Sequence, residues 1–237
     1  MDFQIQVAGP QHFGYAQEIC DLMEASAKAR GTGIAKRQPE YIQQKMAEGK
    51  AVIALRGDSL AGFCYIETWS HGQYVANSGL IVHPDLRQSG LARAIKQKVF
   101  ELSRAKYPEA RIFGITTSLA VMKINSDLGY RPVTFSELTG DETFWKGCQS
   151  CPNYDILTRT ERKMCLCTGM LYDPAWEKQK SAEQPAKAEP EDRWEKFLDH
   201  LRRRKANPLL QKLLEGFLQR RESLFRKKEQ RRAWVRA

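Results

Sequence analysis

Apolar and polar residues alternate from Phe3 to Val7, the period of a half-buried strand, and Gly9-Pro10 ends the run. Over Gln11 to Ala29 the spacing changes, placing Ala16, Ile19, Cys20 and Met23 on one face of a helix. Gly31-Thr32-Gly33 interrupts it. Pro39 to Gly49 predicts a second, short helix with its proline in the first turn. Three apolar runs follow, Ala51–Leu55, Leu60–Thr68 and Gln73–Val82. They are separated by Arg56-Gly57-Asp58 and Ser70-His71-Gly72, which predicts a three-strand meander. Pro84 ends the third run because it has no amide to donate. From Gly90 to Ala105, Leu91, Ile95, Val99, Phe100 and Leu102 mark an amphipathic helix. Arg111–Thr117 predicts a strand, Leu119–Leu128 a helix stopped by Gly129-Tyr130, and Arg131–Glu137 a last strand. The order strand, two helices, three strands, helix, strand, helix, strand predicts a mixed α/β sheet.

With 237 residues, 42% of them hydrophobic, the chain supports one full core and a smaller appendage. No apolar run approaches the roughly 20 residues that span a bilayer. Met1–Gly9 lacks the basic head and apolar centre of a secretion signal, so a cytoplasmic location and reduced cysteines are expected. The net charge of +10 is concentrated at one end, where Glu189 to Ala237 holds 15 Lys and Arg against 8 Asp and Glu. These shifts divide the chain into an α/β domain (1–145), a Cys-rich extension (146–174), a polar Pro/Ala/Glu-rich linker (175–191) and a basic amphipathic helical tail (192–237).

Ser78 to Ala92, SGLIVHPDLRQSGLA, carries the chemistry. An apolar strand enters a polar turn that ends in Arg87-Gln88-Ser89-Gly90-Leu91-Ala92 at a helix start. Unpaired amides there converge where the helix dipole favours negative charge, and Gly90 and Ala92 leave room for a bulky diphosphate. Arg87 either adds a cation or packs across the turn. The ordered context resembles the pyrophosphate-binding segment of the GNAT acetyltransferase superfamily, R/Q-x-x-G-x-G/A after the fourth strand. Ala120 to Tyr130, AVMKINSDLGY, resembles the late helix of that family, and the likeness covers about residues 3 to 137.

The resemblance implies a GNAT fold and acetyl-CoA as acyl donor. Arg87, Gln88, Ser89, Gly90, Leu91 and Ala92 would hold the pyrophosphate, and the backbone of Leu80, Ile81 and Val82 would face the pantetheine arm. Many members place a tyrosine four residues before the terminal glycine, where it protonates the leaving thiolate. Asn125 stands there in this chain; it can hydrogen-bond to the thioester but cannot act as an acid. Where protein-lysine acetyltransferases carry a glutamate in the fourth strand, the alignment finds Ala76 or Asn77. Glu67, His71 and Tyr74, near the neighbouring hairpin, are the candidates to serve the acceptor amine through water, each with a packed or solvated reading beside it.

The loop from Lys28 to Arg37 is dense in cations, and Arg30, Lys36 and Arg37 are candidates for gripping an acceptor carboxylate. The resemblance extends to proteins of amino-acid metabolism, where N-acylation of glutamate begins arginine synthesis. Cys148-x-x-Cys151 and Cys165-x-Cys167 suit a structural zinc, against a reading as four reduced thiols. Expected partners are therefore a small-molecule amine, an acidic protein or RNA for the basic tail, and a second copy of the chain. Acyl transfer to an amino acid leads. Acetylation of a macromolecule docked by the tail and a non-catalytic acyl-CoA sensor are the alternatives.

Overall fold

A computed structural model describes residues 2–31 and 36–183. The described residues up to Gln179 belong to one compact unit. The expected helical tail, 192–237, lies outside the described residues.

Seven strands form one mixed sheet: β1 (Gln4–Val7), β2 (Ala51–Arg56), β3 (Ser59–Trp69), β4 (Tyr74–Val82), β5 (Arg111–Thr116), β6 (Arg131–Val133) and β7 (Thr168–Tyr172), in the spatial order β1-β2-β3-β4-β5-β7-β6. The first four strands are antiparallel neighbours, with short turns joining β2 to β3 and β3 to β4 and the two N-terminal helices between β1 and β2. β4 and β5 run parallel, and the crossover that parallel strands need is α3 (Leu91–Lys106).

The helices cover both faces. α1 (Ala16–Arg30) and α2 (Pro39–Ala47) bury Ile19, Met23, Ile42 and Met46 against Ile53, Phe63 and Tyr65. On the opposite face α3 lays Leu91, Ile95 and Val99 over Val52, Cys64, Ile66 and Ile112. Each fully buried side chain of this kind contributes about 1.5–3 kcal/mol, so both faces are firmly held. α1 ends at Gly31, whose φ of 61° suits the left-handed cap and whose amide bonds Lys28 O.

Three expectations need correction. Residues 10–15 form a tight 3-10 turn before α1, since Pro10 fixes the entry. The strand expected over Arg131–Glu137 stops at Val133, where Thr134 caps a turn through Glu137. The expected boundary at residue 145 is not a boundary. Strand β7, from the Cys-rich segment, sits between β5 and β6 and places Leu171 opposite both Phe113 and Arg131. The segment therefore completes the sheet. Its short helices α5 (Glu142–Lys146) and α6 (Tyr154–Arg159) set Trp145 and Leu157 against Phe113, Phe135 and Leu171. The expected linker begins as helix α7 (Pro174–Glu183).

Candidate active site

β4 and β5 pair only from Tyr74 opposite Arg111 to Ala76 opposite Phe113, and beyond Asn77 they separate. The cause lies in β4. Its register against β3 shifts between Phe63 and Tyr65, and Gly79 turns into the left-handed region at φ 65°. A Cβ at Gly79 would stand 2.4 Å from the Tyr65 ring and 2.7 Å from Met23, so only glycine forms this bulge. The bulge bends β4 away and opens a cavity of about 540 Å³. Asn77 to Leu80 line one wall and Phe113 to Thr117 the other, and α4 (Leu119–Asp127) adds Val121 and Asn125.

From the end of β4 the chain passes through Pro84–Leu86 to the helix mouth. Ser89 Oγ bonds Leu86 O at 2.7 Å, Gln88 takes φ 64° and Gly90 φ 83°. No side chain caps α3, and its first turn has no acidic residue. The earliest amides bonded within the helix are those of Arg93 and Ala94, both to Gly90 O, which leaves Leu91 and Ala92 at the open end. Nothing lies within 4 Å of a Cβ built on Gly90, and Arg87, Gln88 and Ser89 are exposed. A cradle with amides to spare, a positive dipole end and free space suits a diphosphate. Leu80 lines the cavity, whereas the Ile81 side chain packs among the residues under α1 and α2. Only the Ile81 backbone remains available to the cleft.

Asn125 lines the cavity at 1% exposure, and among the described residues its Oδ1 has no hydrogen-bond partner. A buried acceptor left unmade costs about 1–3 kcal/mol, so this group is set to meet a donor from outside the chain.

Glu67 also lines the cavity but is not a solvated hairpin residue. Its carboxylate accepts from Tyr41 Oη, from Ser78 Oγ at 2.6 Å and from Arg37 at 3.3 Å. Arg37 donates further to Tyr65 Oη at 2.8 Å. Burial and then Glu67 push the pKa of both Tyr41 and Tyr65 well above the ordinary phenol value, which keeps them as donors. For Arg37 burial opposes the charge, and Tyr65 and Glu67 outweigh it. Arg37 is thus spoken for within the chain. Arg30 and Lys36 line the same cavity; Arg30 is held by Ser26 O, and Lys36 reaches Glu24 at 3.7 Å. Burial and then the neighbouring Arg87 lower the Arg30 pKa.

Tyr74 and His71 are not brought to this place. They line a separate depression with Tyr107 and Arg111, and Arg111 donates to Tyr74 Oη at 3.0 Å. Tyr74 is therefore part of the sheet's other end.

Cys148, Cys151, Cys165 and Cys167 share the far wall of the cavity. Burial and then the other thiols push Cys148 up to about 11 and Cys167 up to about 12. Among the described residues no group of three or more His, Cys, Asp or Glu is set to hold a metal ion, so the zinc site expected from the spacing is not shown.

Three features escaped the sequence reading: the Tyr41–Glu67–Ser78 cluster, the Gly79 bulge and a buried lysine. Lys96 is 2% exposed, lines the cavity and donates to Asn77 Oδ1 at 3.1 Å. Tyr130 Oη donates to the same oxygen at 3.0 Å, and Asn77 Nδ2 donates to Ser103 Oγ at 2.8 Å. Its signal was present: Lys96 falls beside Ile95 and Val99 on the apolar face of the helix, where a charge has no solvent.

Residues 17–120 match the profile of the acetyltransferase (GNAT) family. N-acetylglutamate synthase from Neisseria gonorrhoeae, complexed with coenzyme A and N-acetyl-glutamate, superposes with a TM-score of 0.52 at 16% identity, over 73% of this chain and 35% of its own. The chain spans about a third of that protein's length. A Mycobacterium tuberculosis protein in complex with CoA gives 0.51 at 15% identity, over 72% of this chain and 98% of its own. A GNAT superfamily phosphinothricin acetyltransferase from Sinorhizobium meliloti, in complex with AcCoA, gives 0.50 at 12%, over 73% and 89%. At these identities the likeness is one of fold. No curated protein matched the sequence.

Proposed function

We propose, taking as premise that residues 17–120 are an acetyltransferase domain of the GNAT family, that the protein moves an acetyl group from CoA to the primary amine of a small acidic amino acid. The observation that carries this reading is the cleft itself. The helix mouth at Gly90 is open, and the splayed end of β4 lines a cavity that also holds Arg30, Lys36 and Glu67. The acyl donor is a substrate here. The exposed amides of Leu91 and Ala92 suit its diphosphate, and the β4 edge freed beyond Ala76 suits its amide-bearing arm.

Acceptor recognition follows from charge. Arg30 and Lys36 can hold carboxylate, and Glu67 can hold an ammonium or the water through which it loses a proton. Glutamate is the first acceptor to assay, because the Neisseria enzyme that shares the fold was solved with N-acetyl-glutamate. Attack on a thioester needs alignment and polarisation more than a strong acid, since thiolates leave readily.

Calorimetry with CoA and thiol release from acetyl-CoA test the proposal on the full chain. The expected result is saturable binding and turnover with glutamate or another acidic amino acid. Absence of CoA binding by folded protein overturns it. Binding with turnover only on a macromolecule, or with none at all, supports docking by the tail or acyl-CoA sensing instead.

A further inference from the structure

Lys96 stands where the sheet opens. Asn77 is the first residue of β4 past its last pairing with β5, and the Lys96 ammonium reaches its side chain from α3. An ammonium carries three donors. Among the described residues only Asn77 Oδ1 accepts from it, and no carboxylate pairs with it. The groups facing it are Cys64 on β3 and the Tyr130 ring, 5.1 Å from Nζ to centroid. Both are neutral in this setting, since burial pushes Cys64 up to about 11 and Tyr130 well above the phenol value. A cation without a counter-charge in such surroundings is costly to the fold. A buried group perturbed in this way, at the wall of a cavity, is a candidate for chemistry with what enters there. The same cavity is lined by Asn125, whose Oδ1 has no partner among the described residues.

We propose that Lys96 is the proton donor to the sulfur of the departing CoA, the role that Asn125 cannot fill. The inference rests on the acyl-CoA reading above. The free amine of the acceptor adds to the thioester carbon, forming the C–N bond and moving the carbonyl pair to oxygen. On collapse that pair returns, the C–S bond breaks and its electrons leave with sulfur. One Nζ–H proton passes to the sulfur, giving the thiol and a neutral Lys96. The new amide nitrogen loses its surplus proton to water on the Glu67 side, and solvent reprotonates Lys96 after release. Counted from the ammonium form, the acceptor loses two protons, the thiol keeps one and one is released.

Burial lowers the Lys96 pKa to about 8, so the proton is held at neutral pH yet is easily given.

The experiment uses CoA itself as probe. Calorimetry establishes binding, and the ultraviolet absorbance of the thiolate follows ionisation of the bound thiol against pH. Beside an ammonium the thiol of CoA on the native protein ionises about one pH unit below that of free CoA. In Lys96→Met it ionises at or above the free value, with CoA still bound, and kcat with a competent acceptor falls about 10²-fold and loses its decline above pH 8. An unshifted thiol on the native protein overturns the proposal whether or not the variant folds. So does a variant that keeps both kcat and the alkaline decline. Failure of CoA to bind removes the acyl-CoA reading, and this inference with it.

Discussion

Glu67→Gln separates architecture from chemistry at the acceptor side. The amide matches the carboxylate in shape, and its oxygen can keep the bonds from Tyr41 and Arg37. Its NH2 then faces Ser78 Oγ, which rotates to accept. What disappears is the charge. Charge-assisted bonds of roughly 1.5–3 kcal/mol become neutral ones of about 1 kcal/mol. Arg37, with a side chain 21% exposed, also loses its carboxylate. Together these cost about 2–4 kcal/mol, somewhat less than breaking a fully buried pair because Arg37 keeps some water. For a unit of this size each kcal/mol lowers Tm by about 2–4 °C, so a fall of roughly 5–15 °C is expected in a thermal melt.

If Glu67 also receives the proton of the amine through water, kcat/KM for the acceptor falls about 10²–10⁴-fold, or roughly 3–5 kcal/mol of activation free energy. CoA affinity stays unchanged, because the diphosphate loop is on another part of the chain. The decisive comparison is made below both melting temperatures. Loss of Tm with kcat/KM held within threefold would show Glu67 to be structural only.

Lys96 ties stability to pH with an unusual sign. Its folded pKa of about 8 lies below the ordinary lysine value of 10.5, so the unfolded chain holds the proton more tightly between them. The penalty, about 3 kcal/mol, is fully present below pH 8 and is relieved as pH rises towards 10.5. Lys96→Met is expected to melt higher than the native protein at pH 7 and to lose that advantage by pH 10; equal melting at pH 7 refutes the placement. Gly79→Ala combines a left-handed φ with contacts at 2.4 and 2.7 Å, and should lower Tm by roughly 10 °C and weaken CoA binding; a melt within 2–3 °C of native refutes the bulge as the origin of the cleft. Burial holds Cys148 and Cys167 protonated, so in the native protein both should alkylate about 10²-fold more slowly than in urea, read by peptide mass mapping. Elemental analysis is the companion measurement, since one zinc per chain would show that the four thiols close into the tetrahedral site their spacing suggests.

Local patterns made most of this fold legible. The alternating run became β1, the three apolar runs bounded by turn residues became β2 to β4, and the apolar stripe after Gly90 became α3. The turn from Arg87 to Ala92 was legible as a turn entering a helix, since strand, turn and helix start are contiguous. β7 was not. Thr168 to Tyr172 has both faces covered between β5 and β6, so no alternation marks it, and its pairing is with strands distant in sequence. The cysteines misdirected the reading of that segment, since spacing in the chain says nothing of what lies across the sheet. Glu67 was named, but its surroundings were not, because Tyr41 and Arg37 reach it from 26 and 30 residues away.

β4 gives these separate observations one cause. Successive side chains of a strand point to opposite faces, so Asn77 and Ser78 diverge at the very place where the sheet opens. Ser78 turns to the face of α1 and α2 and bonds the Glu67 carboxylate; Asn77 turns to the face of α3 and accepts from the Lys96 ammonium. β3 repeats the division, with Tyr65 among the residues under α1 and Cys64 among those under α3. A single strand thus keeps an anion and a cation apart that would otherwise neutralise each other, and both line one cavity. The proposed acyl transfer would use that separation, since one partner must shed protons while the other must gain one. A one-residue slip of β4 against β3 would exchange the two faces and carry Asn77 to the side of Glu67.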